Sequence, residues 1–281
     1  MPEAFGDAAE TTLATYGDAA QPRVGFFTDT TLCIGCKACE VACKQWNEIP
    51  ADGLEFTGNS YDNTSQLGGD TWRHVAFIEQ MDHSPQAELV QFDSTDRWLM
   101  ESDVCKHCTS AACLDVCPTG ALFRTEFGTV VVQDDVCNGC GYCVPACPFG
   151  VIDARQEGGH VGKCTLCYDR LKTGEEPACA RACPTESIQF GDLDELRERA
   201  AERLEAVRPN FTSAQLYGAD DADGVGGFGA FFLLLDKPEV YGMPPDPIVT
   251  TRDLPHMWRR AGIAALTLAA IVAVTAFGPE A

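Results

Sequence analysis

Apolar side chains recur at helical spacing between residues 191 and 209, where Leu193, Leu196, Ala200, Leu204 and Val207 form one stripe. Asp192 stands where an N-cap belongs, with Glu195 three residues on, and Pro209 closes the helix. The charges on its other face read as a solvated surface. Short apolar and β-branched runs predict strands elsewhere. One is Phe26 to Leu32. His74 to Glu79 and Glu88 to Phe92, with Asp82 and Pro85 between them, read as a hairpin. Thr119 to Phe123 and Gly128 to Gln133 form a second pair, and Ala230 to Leu235 reads as a buried strand. Residues 261–278 carry no charge. As a helix these eighteen residues reach about 27 Å, enough for a bilayer core. Trp258, Arg259 and Arg260 stand at its start as interface anchors. Only Thr267 and Thr275 interrupt its apolarity, so a single membrane span is expected. Its many alanines suit close packing against other membrane helices, which implies an integral partner.

Residues 1–24 are small, polar and acidic and lack a basic segment followed by an apolar one. No cleavable signal is expected there, only a loosely ordered arm. Residues 50–71, rich in Gly, Asn, Asp, Ser and Thr, read as a long loop of the kind that forms binding surfaces. Tyr241 to Pro247 holds three prolines and reads as an extended arm.

Composition changes the picture through one residue type. The chain of 281 residues has 16 cysteines, in four groups of four. The first is Cys33, Cys36, Cys39 and Cys43. The second is Cys105, Cys108, Cys113 and Cys117, followed by Pro118. The third is Cys137, Cys140, Cys143 and Cys147, followed by Pro148. The fourth is Cys164, Cys167, Cys179 and Cys183, followed by Pro184. The third group has the C-x₂-C-x₂-C-x₃-C-P spacing that wraps a [4Fe–4S] cubane with three thiolates and sends the fourth to a neighbouring cluster. The other groups are the same repeat, with the middle gap lengthened in the second and fourth. Adjacent C-x₂-C pairs are poor disulfide geometry, and the chain is not a small secreted scaffold. Structural zinc also uses C-x₂-C but has no need of the further cysteines at x₂ and x₃.

Four clusters follow, with sixteen thiolate ligands. The second and third groups are joined by a short link and form one module. One cluster there takes Cys105, Cys108, Cys113 and Cys147; the other takes Cys137, Cys140, Cys143 and Cys117. The first and fourth groups are left to pair around it, as Cys33, Cys36 and Cys39 with Cys183, and Cys164, Cys167 and Cys179 with Cys43. The expected fold is α+β, with two ferredoxin-like two-cluster modules, one inserted in the other, and a C-terminal transmembrane helix. The double module occupies 25–190, its inner part about 100–152 and its outer part about 26–56 plus 155–190. A helix and extended arm follow over 191–257, then the span over 258–278. Gly35 suits a turn whose N–H groups face cluster sulfurs. His107 reads as a loop residue, because four thiolates already stand around it. Trp46 reads as a core aromatic and the insert at 168–178 as a solvated excursion.

A net charge of −22 argues against nucleic acid, whose phosphates want Lys and Arg. The chain holds no nucleophile elbow, dinucleotide fingerprint or HExxH motif. Gly224 to Gly229 lacks the Lys-Ser/Thr and the strand–turn–helix setting of a phosphate loop. The expectation is an electron relay without catalysis of its own.

The order of the four groups, Cys105-Lys-His-Cys108, Cys137-Asn-Gly-Cys-Gly-Tyr-Cys143, Thr71-Trp-Arg-His-Val-Ala-Phe-Ile-Glu79 and the single C-terminal span resemble the iron–sulfur (beta) subunit of membrane-bound formate dehydrogenase. The likeness runs from about residue 25 to the end. The cysteine pattern itself is shared with electron-transfer subunits of other molybdopterin enzymes and of some hydrogenases. The resemblance implies the same ligand pairing. Its implied partners are a catalytic formate dehydrogenase subunit with a molybdenum- or tungsten-pterin, and an integral cytochrome b subunit that passes electrons to quinone. Arg252, Arg259 and Arg260 before the span place the soluble part in the cytoplasm by the positive-inside rule. The resemblance implies the outer face instead, because related complexes are exported folded on the large subunit's signal, and that is the side expected.

Overall fold

The structure is a computed structural model, and it describes residues 8–51, 61–62, 64–80, 97–251 and 253–277. Its strands are β1 (Val24–Asp29), β2 (Arg73–Gln80), β3 (Arg97–Val104), β4 (Leu122–Arg124), β5 (Val130–Val132), β6 (Asp153–Ala154), β7 (Val161–Gly162), β8 (Ile188–Asp192), β9 (Gln215–Tyr217) and β10 (Ala230–Leu234). Its helices are α1 (Ala8–Tyr16), α2 (Ala38–Trp46), α3 (Ala112–Asp115), α4 (Cys143–Ala146), α5 (Tyr168–Leu171), α6 (Ala178–Arg181), α7 (Leu193–Val207) and α8 (Leu254–Phe277).

The central sheet runs in the order β8-β1-β10-β9. β10 is wholly buried, lies parallel to β1 and pairs antiparallel with β9. A continuous apolar strand is what burial on both faces demands. Phe27 stacks on Phe231, with ring centroids 5.3 Å apart. The expected stripe of α7 is buried against this sheet, and the Asp192 carboxylate accepts the N–H groups of Asp194 and Glu195 as its N-cap. Arg203 also ties α7 to β1, its Nε donating to the buried Asp29 carboxylate at 2.8 Å.

This sheet positions the cysteines. β1 runs directly into Cys33, and β8 starts five residues after Cys183. Their antiparallel pairing, Thr28 opposite Ile188, brings the first and last groups together across the sequence. β2 and β3 pair from Arg73↔Val104 to Gln80↔Arg97, and β3 delivers Cys105. The ribbons β4–β5 and β6–β7 fill the gaps between the second, third and fourth groups. Among the short helices that carry cysteines, α2 packs on α6 and α3 on α4.

Several expectations are corrected. The partner of β2 is residues 97–104, whereas the expected partner at 88–92 lies outside the described residues. Most of the loop at 50–71 also lies outside them. The segment after residue 7 is no loose arm. From Ala8 it is helical, and the Tyr16 hydroxyl donates to the Arg124 carbonyl at 2.8 Å. Residues 191–257, expected as a helix and an extended arm, also supply β9 and β10 to the central sheet.

α8 begins before Trp258, and its residues 256–276, of mean hydropathy 1.5, are long and apolar enough to cross a membrane. None of that stretch is buried within the protein. Its two hydroxyls are satisfied inside the helix, Thr267 donating to the Ile263 carbonyl at 2.9 Å and Thr275 to the Val272 carbonyl at 3.0 Å. That removes the cost of taking them into lipid.

Phe231 is fully buried in the central strand. Replacing it with alanine is expected to cost about 3–5 kcal/mol and to lower the thermal midpoint by on the order of 10 °C, read as loss of visible cluster absorbance on heating.

Candidate iron–sulfur sites

The same turn is built four times. The residue two places after the first cysteine of each group has a positive φ: Gly35 (64°), His107 (44°), Gly139 (71°) and Leu166 (55°). Glycine adopts this conformation freely. At Gly35 it is required twice over, because a Cβ would lie 2.6 Å from the Phe77 ring. His107 and Leu166 hold it as non-glycine residues, at a cost of order 1–3 kcal/mol that surrounding packing must offset. The turn aims backbone N–H groups at sulfur. Leu166 N–H donates to Cys164 Sγ at 3.3 Å, and Gly35 N–H stabilises the Cys33 thiolate.

The thiols converge in four places. Cys105, Cys108, Cys113 and Cys147 line one cavity. Cys33, Cys36, Cys39 and Cys183 line another. Cys117, Cys137, Cys140 and Cys143 line a third. Cys43, Cys164, Cys167 and Cys179 lie close enough for Cys43 to feel the charge of the other three. All sixteen are free thiols. Tetrahedral zinc with a Zn–S bond of about 2.3 Å would need sulfurs about 3.8 Å apart. Among the described residues, no three His, Cys, Asp or Glu side chains converge closely enough to hold one ion. Thiols facing across a shared cavity suit a body with a metal at each corner.

The four sites form a row. Cys39 senses Cys179, Cys164 senses Cys105, and Cys113 senses Cys143. The order is therefore the Cys33 site, the Cys164 site, the Cys105 site and the Cys137 site. Exposed cysteines occur only at the two ends, as Cys36 and Cys140.

Burial dominates the chemistry of the thiols. It pushes Cys39 up to about 12 against the opposing pull of Arg73 and the Ser102 hydroxyl. It pushes Cys113 up to about 12 against Lys163, and Cys143 and Cys167 up to about 11. Cys43, Cys108 and Cys164 rise for the same reason. Cys117 goes the other way, because N–H groups of Leu122, Thr119 and Ala121 and the Thr119 hydroxyl outweigh its slight burial.

Residues that the cysteine pattern does not reveal complete the sites. Lys163, almost wholly buried, lines the Cys105 cavity and donates to the Val130 and Cys164 carbonyls. His107 lines the same cavity, and burial together with Lys163 and Arg23 holds its imidazole neutral. Its Nδ1 accepts the Val130 N–H at 3.2 Å, so the remaining proton sits on Nε2, which is buried and has no partner in the protein. A sulfide in the cavity would supply one. This orphaned donor fits the cluster as the free thiols do.

The glycine-rich segment at 224–229 is a wall of this cavity. Gly227 and Val225 carbonyls accept the Thr109 and Ser110 N–H groups at 3.1 and 2.8 Å, and Val225 lines the space. Trp46 is no core residue. It is half-exposed, its Nε1 donates to Asp169 at 2.9 Å, and the Arg170 guanidinium lies 4.2 Å over its ring. Arg170 and Leu171 are buried, so the insert at 168–178 is only partly solvated.

Such a fold and such sites define a ferredoxin-type electron carrier with several clusters. Comparison with known proteins agrees. Two family profiles match, both described as a 4Fe-4S dicluster domain, over residues 32–121 and 96–193. The chain is 37% identical over 273 residues to the formate dehydrogenase-O iron–sulfur subunit of Escherichia coli (strain K12), covering 92% of this chain and 85% of that protein. It is 40% identical over 224 residues to the formate dehydrogenase iron–sulfur subunit of Haemophilus influenzae, covering 78% and 68%. It is 36% identical over 192 residues to the B subunit of the anaerobic dimethyl sulfoxide reductase of Escherichia coli, covering 66% and 82%. The protein belongs to the family of formate dehydrogenase iron–sulfur subunits, and its two dicluster domains imply four [4Fe–4S] clusters.

The raised thiol values carry a pH dependence. A thiol stays protonated below its pKa, and iron must displace that proton, so affinity falls as pH falls. Reconstitution of iron-stripped protein with iron and sulfide is expected to release protons and to go further at pH 9 than at pH 7. Absorbance near the cluster bands and a pH-stat would read both.

Proposed function

We propose that this chain is a non-catalytic wire that carries electrons from formate oxidation at a molybdenum- or tungsten-pterin subunit to an integral cytochrome b subunit and quinone. The single observation that carries the reading is the row of four four-thiol sites with an exposed cysteine at each end. The sixteen cysteines would be the ligands, each cluster taking three from one group and one from another. The packing of α2 on α6 and of α3 on α4 supports one module nested in the other, with 1–24 preceding and the span over 258–278 following. When bound, each cluster supplies one-electron redox chemistry, with a potential set by thiolate ligation, hydrogen bonds to sulfur and exposure.

The segment leading into α8 supports a direction. The Thr251 hydroxyl donates to the Asp115 carboxylate of α3 at 2.6 Å, and the Thr250 hydroxyl donates to the Ala146 carbonyl of α4 at 3.4 Å. These helices carry or flank ligands of the Cys105 and Cys137 sites. The Cys137 site is therefore the membrane end, and the Cys33 site the end that faces the catalytic subunit. The soluble part sits on the outer face, as it does in complexes exported with their large subunit.

A second reading is the same relay in a membrane-bound hydrogenase or another molybdopterin enzyme, and the likeness to a dimethyl sulfoxide reductase subunit favours it over part of the sequence. The formate dehydrogenase match extends further, over 92% of the sequence against 66%. Co-purification from detergent-solubilised membrane decides between them, through formate-, hydrogen- or sulfoxide-dependent dye turnover. A membrane-tethered zinc scaffold is the rival of another class, and the separation of the thiols weighs against it.

Iron analysis and EPR of the reduced complex are expected to give four [4Fe–4S] clusters per chain. A colourless protein with stoichiometric zinc would sink the wire. Cys140→Ser is expected to damage the cluster at the membrane end. It would abolish formate-to-quinone transfer while leaving formate-dependent dye reduction at the catalytic subunit. Undiminished quinone reduction would count against the relay.

A further inference from the structure

Among the described residues Arg73 is the largest fully buried side chain, and it lies at the junction of two sites. Its Nη2 donates to Cys179 Sγ at 3.3 Å, in the Cys164 site. Its Nη1 donates to the Ser102 carbonyl at 3.1 Å and to the Ser102 hydroxyl oxygen at 3.3 Å. That hydroxyl stands 3.2 Å from Cys39 Sγ, in the Cys33 site. The proton assignments follow from the chemistry. A guanidinium has only donors, so Ser102 Oγ accepts from it. A thiolate bound to iron carries no proton, so the Ser102 O–H must donate to Cys39. The arrangement is a series of polarised bonds from one cation to a sulfur in each of two neighbouring sites.

Among the described residues, no carboxylate lies within ion-pair distance of Arg73. Glu101 is fully buried with both oxygens unpartnered; burial followed by repulsion from Asp103 pushes its carboxyl well above the usual carboxylate range, against the opposing pull of Lys106 and Arg73. The guanidinium packs over the Phe26 ring at 4.8 Å, so β1 holds one side of it. A buried cation without a counter-ion is costly. It becomes favourable beside groups whose charge is negative and grows by one unit on reduction.

We propose that Arg73 is a positioning residue that sets the reduction potentials of the two clusters in the Cys33 and Cys164 sites, acting on Cys179 directly and on Cys39 through Ser102. The proposal rests on the assignment of those cavities to clusters. A fixed positive charge stabilises the reduced, more negative form, so both potentials stand higher than thiolate ligation alone would place them. The electron would be held where it leaves the catalytic subunit, at the end of the row away from α8. The effect is electrostatic and needs no proton transfer by Arg73.

The test is an EPR-monitored redox titration of the intact membrane complex carrying Arg73→Met, Arg73→Lys or Ser102→Ala. Four signals and full iron in the unmutated complex secure the cluster assignment first, so failure there is separate from failure here. With Arg73→Met, the reduced-to-oxidised ratio of two clusters is expected to fall about tenfold at a given potential, a shift of about 59 mV for a one-electron couple. The other two clusters are expected to stay in place. Ser102→Ala should lower only the cluster that Cys39 serves, and Arg73→Lys should restore part of the loss. Arg73→Met protein with all four clusters and unmoved midpoints overturns the proposal. If Arg73→Met fails to assemble, Ser102→Ala decides. One lowered midpoint upholds the proposal, and four unmoved midpoints overturn it.

Discussion

The structure depends on keeping sixteen reactive sulfurs apart from one another, mostly out of water and faced toward shared cavities. Left to themselves, thiols at C-x₂-C spacing are free to oxidise or to capture a single metal ion. Here left-handed turns and short helices hold the thiols in place, and each site is completed by a cysteine distant in sequence. Cys183 shares a cavity with Cys33, and Cys147 shares one with Cys105. No local segment can build such a site alone. The central sheet and the two helix pairs bring these distant thiols together.

Burial is the second theme, and it creates the problem that the cations solve. Clusters sheltered from water are surrounded by a poor dielectric, where adding negative charge is unfavourable. Across a chain of net charge −22, the interior of the cysteine region nonetheless holds Arg73, Lys106 and Lys163, each almost wholly buried. Lys106 pairs with Asp103 and lies 4.6 Å over the Phe232 ring. Arg73 and Lys163 instead face thiols and carbonyls at the junctions between sites.

The C-terminal third joins two functions that look separate. β10 forms the centre of the sheet, and its Ala230 N–H docks on the Lys106 carbonyl beside the second cysteine group. The glycine-rich segment just before it closes a cavity wall. Threonines 250 and 251 then fasten the backbone to α3 and α4 before α8 departs. The apolar helix α8 thus follows a segment fastened to the helices that carry Cys113 and Cys143.

Much of this protein was legible in its residues. Cysteine spacing is a chemical signature, because a cubane needs its thiolates at fixed reach, and the pattern survives insertions. The stripe of α7, the apolar run of β10 and the uncharged span of α8 are local properties, readable because hydrophobic period follows backbone geometry. Other features were out of reach. Arg73 sits in a strand whose pattern is unremarkable, and its value comes from Ser102, Cys179 and Cys39, brought near only by the folded sheet. His107 looks like any loop residue until the bond to Val130 leaves its other nitrogen as a lone donor. Trp46 was expected in the core and lies half in water, held by Arg170 from 124 positions away. Sequence determined which atoms could bind iron and how many. Tertiary structure decided the order of the sites and the charges set between them, because both depend on distances across the fold that no local spacing encodes.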